Sequence, residues 1–207
     1  RLLSHQSPVR LSAELIRDNA LAVSGLLNPE IGGRSAKPYQ PSGYYQHLNF
    51  PRREYEPDMN ANQYRRGLYT HWQRTFLHPA MKAFDAPARD ECSMERESST
   101  TPLQALTLLN DPTYVEAARV LAESSDSIES AFERVLSRKP SEKELAVLNQ
   151  LFEKETARLK SEADAATKLL EVGLKEPETG EDQRIEVAAR TAVTRAILNL
   201  HETITRY

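Results

Sequence analysis

The stretch TPLQALTLLNDPTYVEAARVLA, residues 101–122, carries the clearest structural signals in this chain. Thr101 and Gln104 match a capping box with a proline at the first helical position, a pattern typical of a helix N-terminus. Asp111 and Pro112 predict the end of this helix and the start of another, because the aspartate can cap and the proline can lead. Two consecutive helices with a tight connection favour an antiparallel bundle.

Helical periodicity extends over much of the remaining chain. In the first of the two helices, an apolar face is formed by Leu103, Leu106, Leu109 and Ala105. Ser141 begins a further capping box. Apolar spacing and breaker residues predict further helices over residues 8–27, 128–136, 141–170 and 185–204.

The two halves of the chain differ in character. Residues 1–100 hold 13 Lys and Arg against 11 Asp and Glu, whereas residues 101–207 hold 14 against 19. The first half also contains most of the prolines and aromatic residues. We therefore predict a single domain, 1–207, with a loop-rich aromatic and Arg-rich part (1–100) and a helical bundle part (101–207).

The loop-rich part contains a long irregular segment, residues 28–63, in which Gly and Pro repeatedly interrupt any periodicity. Its tyrosines predict an ordered excursion over the helices with one short helical turn near Tyr44–Leu48. Downstream, alternation over residues 66–75 predicts a short strand that pairs with residues 81–84 in a β-hairpin. The predicted fold is mainly α, an antiparallel helical bundle with this irregular segment and one hairpin.

Composition excludes several classes of protein. The net charge of −3 does not indicate a nucleic-acid-binding surface. No apolar run approaches the ~20 residues of a membrane-spanning helix. The single cysteine excludes an internal disulfide framework. The chain begins at Arg1 within polar sequence, so we expect it to be a C-terminal piece of a larger multidomain protein.

Arginines and aromatic residues between positions 64 and 89 form the candidate ligand site. Guanidinium groups match the geometry of carboxylate and sulfate oxygens, and an indole can stack on a sugar ring. In the alternative interpretation, the aspartate of this set pairs with one of its arginines and holds a loop on the bundle. The candidates are Arg65, Arg66, Tyr69, Trp72, Arg74, Asp85 and Arg89.

The FDAP motif at residues 84–87 admits two interpretations. Asp85 suits a turn or a helix cap, with Pro87 leading a short helix through Arg89. Asp85 with Asp90 and Glu91 could instead supply oxygen ligands to Ca²⁺, although the spacing matches no EF-hand. We predict no metal site.

Cysteine and histidine supply no catalytic signature. Cys92 has no partner in the chain and is predicted to be a small buried apolar group, with a disulfide outside this chain as the alternative. A nucleophilic cysteine would need a positioned histidine, and His71 and His78 are the nearest in sequence. A distal haem ligand from one of these two histidines is also conceivable. The histidines form no HxxxH or HxH pattern, so zinc has little support.

Six stretches of this chain carry a family resemblance: RLSAELIRDNALAVSGLLNPEIGG (10–33), PYQPSGYYQHLNF (38–50), YRRGLYTHWQRT (64–75), FDAPARDEC (84–92), TPLQALTLLNDPTYVEAARVLA (101–122) and AILNLHETITRY (196–207). Together they resemble a planctomycete-specific C-terminal domain of unknown function, found in secreted proteins that also carry a planctomycete cytochrome c domain. One departure is that MERESST, residues 94–100, stands where the family has basic residues and an asparagine before TPLQAL.

This resemblance implies an exported, periplasmic or extracellular protein with haem elsewhere in the parent polypeptide and no cofactor in this chain. Three functional hypotheses follow. The first is a non-catalytic structural and interaction domain that packs against upstream domains of the same polypeptide. The second is binding of a polysaccharide or another anionic ligand through residues 64–89. The third is a contribution to an enzyme active site that a neighbouring domain completes.

Overall fold

The computed structural model describes residues 7–47, 54–73, 76–89, 92 and 94–206, and these residues confirm the prediction of a mainly helical protein. Two short strands, β1 (Val9–Arg10) and β2 (Thr205–Arg206), pair antiparallel. The helices in the described part are α1 (Ala13–Ser24), α2 (Pro79–Ala83), α3 (Pro102–Asn110), α4 (Pro112–Glu123), α5 (Ile128–Leu136), α6 (Glu142–Ser161), α7 (Ala163–Leu170) and α8 (Arg184–Leu198).

Helix α8 lies at the centre of the bundle. Its residues Val193 and Ile197 are fully buried, and the helix packs against α4, α5, α6 and α7. The larger core joins α1, α4, α5 and α8 around residues such as Phe132. A smaller core, around Leu159 and Leu170, joins α6 and α7 to α8. The fold therefore depends on apolar burial along a helix close to the C-terminus.

The predicted helix caps are confirmed. Thr101 and Gln104 form the capping box of α3. The Asp111 carboxylate accepts a hydrogen bond of 2.9 Å from a backbone N–H of the first turn of α4. Ser141 and Glu144 form the reciprocal pair at the start of α6. Each cap satisfies N–H groups that have no partner within the helix, so these boundaries follow from local chemistry.

The first helix is shorter than the predicted span of 8–27. Its start is displaced because residues 9–10 form β1 and take their backbone partners from β2, at the opposite end of the chain. The helix ends at Ser24, immediately before Gly25, which adopts the left-handed conformation at φ 80° and donates to the last turn. Ser7 and Pro8 are typical of a helix start, but the long-range strand pair overrides this local signal.

Two further predicted helices are interrupted. The helix predicted over 141–170 breaks at Glu162, whose φ and ψ of −127° and 59° are not helical, and this break separates α6 from α7. The helix predicted over 185–204 ends as α8 at Leu198, and His201–Ile204 forms a 3-10 turn that leads into β2. Ile128–Leu136 matches its predicted span.

The predicted β-hairpin between residues 66–75 and 81–84 is wrong. Gly67–Tyr69 is a 3-10 turn, and Pro79 begins the short helix α2. The backbone around Thr70 is paired instead with the irregular segment, because Ala36 exchanges hydrogen bonds with the residues on either side of Thr70. The loose alternation of apolar and polar residues over 66–75 therefore belongs to turns that contact the irregular segment, and not to a strand.

The buried carboxylate of Glu116 on α4 anchors two separate loops. Its oxygens accept hydrogen bonds from the hydroxyls of Tyr39 at 3.1 Å and Tyr64 at 2.6 Å. One oxygen also accepts the backbone N–H groups of Leu174 and Lys175, each at 2.8 Å. Burial and the neighbouring carboxylate raise the pKa of both tyrosine hydroxyls, which therefore remain protonated donors.

Aromatic residues support the irregular segment, as predicted. Tyr44–His47 forms the expected helical turn, and the Leu48 end of that prediction lies outside the described residues. Tyr45 makes edge contacts with the rings of Tyr55 and Phe76, at centroid distances of 5.2 and 6.3 Å. Ring packing thus replaces regular secondary structure as the source of order here.

Position 173 requires a glycine, because its backbone lies against the side chain of Glu116. Its φ is 106°, and a β-carbon there would lie 2.2 Å from the Glu116 Cδ atom. We expect Gly173→Ala to lower the free energy of unfolding by about 2–4 kcal/mol, through backbone strain and steric overlap. Urea unfolding followed by circular dichroism measures this change.

Gly180→Ala is the matched control for this prediction. Gly180 lies in the same connection, has φ −64°, and has no atom within 4 Å of the added β-carbon. Its replacement should change the free energy of unfolding by no more than about 1 kcal/mol. Equal losses in the two variants would contradict the role of Gly173.

Candidate functional site

The structure divides the predicted ligand residues into two groups. Trp72, Asp85 and Arg89 lie together at the FDAP turn, defined here as residues 84–89, which contacts the start of α1. Arg65 and Tyr69 lie instead against the irregular segment. Arg66 is exposed, and Arg74 lies outside the described residues. Because Gly67–Tyr69 is a 3-10 turn, Arg66 and Trp72 do not lie on one strand face.

The FDAP turn ends helix α2 as a Schellman motif. The Asp85 N–H donates to the carbonyl of Lys82, and the Ala86 N–H donates to the carbonyl of Met81. Asp85 itself has φ 59°, which an aspartate tolerates better than most residues. The interpretation of Asp85 as a turn residue is therefore confirmed, whereas the predicted helix from Pro87 through Arg89 is not present.

The Asp85 carboxylate is held by two partners. Arg10 Nη2 lies 2.7 Å from Oδ2, and the backbone N–H of Ser99 donates to the same oxygen at 2.8 Å. The Ser99 hydroxyl adds a bond of 2.9 Å to Oδ1. Partial burial opposes ionisation, but the hydrogen bonds from Arg10 and Ser99 outweigh it and lower the pKa of Asp85.

The predicted Arg–Asp pair thus exists, but its arginine was assigned wrongly. Asp85 pairs with Arg10 rather than with Arg65, Arg66 or Arg89. The Arg10 guanidinium also donates to the carbonyls of Ser99 and Phe84. Because Arg10 precedes Asp85 by 75 positions, no local pattern could have indicated the pair.

Arg89 connects the turn to α1 and to Trp72. Its guanidinium lies 4.0 Å above the centroid of the Trp72 ring and 3.7 Å from the Glu14 carboxylate. The Trp72 indole N–H donates to the carbonyl of Ala88 at 2.8 Å. Arg89 has φ 63°, so it and Asp85 are two of only three non-glycine residues with positive φ in the described chain. Backbone strain is concentrated in this turn, where the surrounding contacts stabilise it.

Glu14 is the acidic centre of this surface. Arg96 Nη1 donates to its Oε2 at 2.8 Å, while Arg89 approaches the other oxygen. Burial opposes ionisation, yet the bond from Arg96 outweighs it and lowers the pKa of Glu14. Two guanidinium groups therefore share one carboxylate, and neither is available as an isolated anion-binding charge.

Arg65 binds backbone carbonyls of the irregular segment and does not contact the FDAP turn in the bonds described here. It is only 3% exposed and donates to the carbonyls of Arg34 at 2.6 Å and of Glu30 and Gly32. Its guanidinium also stacks on Tyr69, 4.0 Å from the ring centroid. A forked cation that binds several carbonyls orders this loop, so Arg65 is a structural clamp and is not exposed to a ligand.

Cys92 and His78 lie in different environments. Cys92 is free and exposed, which corrects the prediction of a buried apolar group. His78 is buried, and one ring nitrogen lies 2.6 Å from the carbonyl of Tyr39. Burial is the largest influence on its ring and lowers the pKa of His78. The described residues contain no group of three or more His, Cys, Asp or Glu side chains arranged to hold a metal ion.

Sequence reasoning missed the most buried polar residues. Glu116 and Arg119 are 0% exposed on α4, and Arg119 pairs with Glu123 at 3.0 Å while it also binds the carbonyl of Lys175. A signal existed, because both charged residues interrupt the apolar run between Val115 and Leu121. A charge inside such a run indicates a buried, hydrogen-bonded group.

Replacing Asp85 with asparagine tests its structural role. Asparagine tolerates positive φ, so the change removes charge without new backbone strain. We expect Asp85→Asn to lower the free energy of unfolding by about 1–3 kcal/mol at neutral pH, because the bonds from Arg10 and Ser99 lose their charge. Urea unfolding measures the loss, and the exposed Asp126→Asn serves as control.

The same variant gives a pH signature. The pKa of Asp85 is lower in the folded state than its unfolded value of about 3.9, so its contribution is complete above that value. The contribution disappears as the pH falls through the lower folded-state pKa. The stability difference between wild type and variant should therefore shrink at acidic pH. A difference independent of pH would contradict the ionic role.

Adjacent arginines provide a second test. Arg65→Lys removes the forked donor, and we expect it to lower the free energy of unfolding by about 2–3 kcal/mol, because buried carbonyls lose partners. Arg66→Lys, one residue away and exposed, should change it by less than about 0.5 kcal/mol. Thermal or urea unfolding of both variants separates the two roles. If both variants lost the same free energy of unfolding, the hydrogen bonds of Arg65 to backbone carbonyls would not contribute to stability as expected.

Within the part of the chain that the structure covers, no helix combines the length and apolar character that crossing a membrane requires.

The chain matches no curated protein and no solved structure. A family model, described as "PSD1: Protein of unknown function (DUF1553)", matches residues 1–152. The matched region includes the irregular segment, the FDAP turn and helices α1–α5. It ends before the stretch at 196–207 that also suggested a family. The chain belongs to the family described as PSD1, protein of unknown function (DUF1553).

Proposed function

We propose that this chain is a non-catalytic structural and interaction domain of an exported, cytochrome-linked multidomain protein, and that it packs against upstream domains. The observation that carries the proposal is the pairing of Asp85 with Arg10 and Ser99. If this chain contributed to an active site completed by a neighbouring domain, the Asp85 carboxylate would have to be free to react. Its oxygens are instead hydrogen-bonded to Arg10 and Ser99 and hold a loop in place, which fits a structural role.

Other polar residues of the family motifs follow the same principle. Arg65 binds backbone carbonyls, Glu116 binds two tyrosines and two backbone N–H groups, and Trp72 donates to a carbonyl. Each contact is internal to the chain, and each shapes a loop over the bundle. These contacts support a rigid, irregular surface with a defined shape, which suits recognition of another folded domain.

The distribution of exposed apolar side chains indicates which part of the chain makes that contact. Of the ten large apolar side chains exposed in the described residues, six lie in the loop-rich part (1–100) and two, Leu103 and Leu106, lie on α3. Ile31, Met59 and Leu68 in the loop-rich part are each more than 60% exposed. Single exposed apolar groups are ordinary, but their concentration on one part favours an interface there.

The alternatives receive weaker support. Binding of a polysaccharide or another anion remains a prediction, because Glu14 faces Arg89 and Arg96 and neutralises much of their charge. An enzyme active site completed by a neighbour would require Asp85 to be free, and it is paired. Export and a haem group elsewhere in the polypeptide rest on the family resemblance alone.

Cross-linking of the intact parent protein, isolated from the exported fraction of its cells, tests the proposal. With a lysine-specific reagent, the exposed Lys82 of the loop-rich part should link to segments outside residues 1–207. Lys154 and Lys160 on α6 are also exposed and should not form such links. Links from α6 alone, or an absence of external links in a protein that is efficiently cross-linked internally, would overturn the proposed interface.

A further inference from the structure

His78 is buried at the start of α2, and its hydrogen bond fixes the position of its proton. The residue is only 4% exposed, and its Nε2 lies 2.6 Å from the backbone carbonyl oxygen of Tyr39 in the irregular segment. A carbonyl oxygen can only accept, so Nε2 carries the hydrogen and donates it. A neutral imidazole has one N–H group, which leaves Nδ1 as a bare acceptor. His78 thus joins α2 to the irregular segment as a neutral ring.

The second ring nitrogen of His78 cannot accommodate a proton where it lies. Nδ1 is buried and has no hydrogen-bond partner among the residues that the structure describes. Protonation would give this atom an N–H group and the ring a positive charge. A buried charge without a partner is costly, so the protonated ring requires contact with water. The closed contact between His78 and Tyr39 therefore favours the neutral form of the ring.

The charged groups that interact with this ring, among the described residues, come from two other elements. Arg17 of α1 is itself buried and opposes protonation, whereas the Asp111 carboxylate at the junction of α3 and α4 favours it. Burial is the largest influence, and the pKa of His78 lies below its ordinary value. Burial also raises the pKa values of Tyr55 and Tyr114, which interact with Arg17 and Asp111 and stay neutral at mildly acidic pH.

The two ends of α2 are held by interactions of different kinds. The helix has only five residues, so its own hydrogen bonds stabilise it little. Its C-terminal end is fixed by the ion pair of Asp85 with Arg10. Its start is joined to the irregular segment by neutral hydrogen bonds, from His78 and from the Tyr44 hydroxyl to the carbonyl of Leu77 at 3.1 Å. Neutral hydrogen bonds are weaker than charged ones, so α2 opens most easily at its start.

We propose that His78 is an acid-sensitive contact: when Nδ1 takes up a proton from solvent, the start of α2 separates from the irregular segment at Tyr39. An exposed histidine has a pKa of about 6.5, whereas that of the closed ring is lower. The contribution of the contact to stability is therefore complete above about pH 6.5 and decreases as the pH falls below that value. This contact makes the shape of the loop-rich part depend on pH, which goes beyond the proposed interaction function.

Urea unfolding of the 207-residue chain at pH 7.5 and pH 5.5 tests the linkage. His78→Gln keeps an amide donor for the Tyr39 carbonyl and cannot titrate. Between the two pH values the unfolding constant of wild type should rise about three- to tenfold more than that of the variant. The upper value is the limit for a ring that stays neutral in the folded state. His201→Gln, at an exposed histidine, should follow wild type. The same pH dependence in wild type and His78→Gln would overturn the proposal.

Imidazole nitrogen spectra of wild type test the same contact without any substitution. At pH 7.5 the His78 ring should carry its hydrogen on Nε2, and it should titrate below the ordinary pKa of histidine. A hydrogen on Nδ1, or titration at the ordinary value of about 6.5, would contradict the inference. This measurement decides the question even if His78→Gln does not fold.

Amide hydrogen exchange distinguishes local opening from unfolding of the whole domain. The Lys82 N–H donates to the carbonyl of His78 at 3.0 Å and reports on the first turn of α2. Its opening constant should exceed that of Val193, which is buried in α8, at both pH values. It should also rise by the same factor as the unfolding constant on acidification, and not in His78→Gln. Equal opening constants for Lys82 and Val193 would show that α2 does not open by itself and would refute the acid-sensitive contact.

Discussion

The buried carboxylate of Glu116 is the interaction on which the arrangement of this domain depends. A charge removed from water is costly unless its oxygens are fully hydrogen-bonded, and Glu116 at 0% exposure accepts four bonds. Its donors come from two distant loops: Tyr39 and Tyr64 on one side, and the backbone at residues 174–175 on the other. A single α4 side chain therefore fixes the irregular segment and the connection before α8 on the same bundle.

Other charged side chains also hold irregular segments in place through hydrogen bonds. Arg65 holds residues 30–34 through their carbonyls, and Arg10 with Asp85 holds the turn that follows α2. These buried or half-buried charges give shape to loops that have few backbone partners of their own. These charged groups are therefore engaged within the chain, while Leu103 and Leu106 on α3 are among the apolar side chains left exposed.

Comparison of particular elements shows where sequence reasoning succeeds. The capping boxes at Thr101 and Ser141 were predicted correctly, because each depends on residues within one helical turn. The hairpin at 66–84 was wrong because the backbone around Thr70 pairs with Ala36, a partner no local pattern reveals. The turn at Asp85 was identified from the sequence, but Arg10, Glu14 and Ser99, whose side chains and backbone contact its residues, come from elsewhere in the chain.

By itself, the sequence determined that the protein is mainly helical, where helices α3, α4 and α5 begin and end, and that its arginines and aromatics organise an irregular part. These properties follow from short-range periodicity and capping, which any segment carries with it. Only the tertiary structure decided that Asp85 pairs with Arg10, that Glu116 joins two loops, and that Leu103 and Leu106 face solvent. Each of these depends on which surfaces meet when the helices pack, and local sequence does not encode that choice.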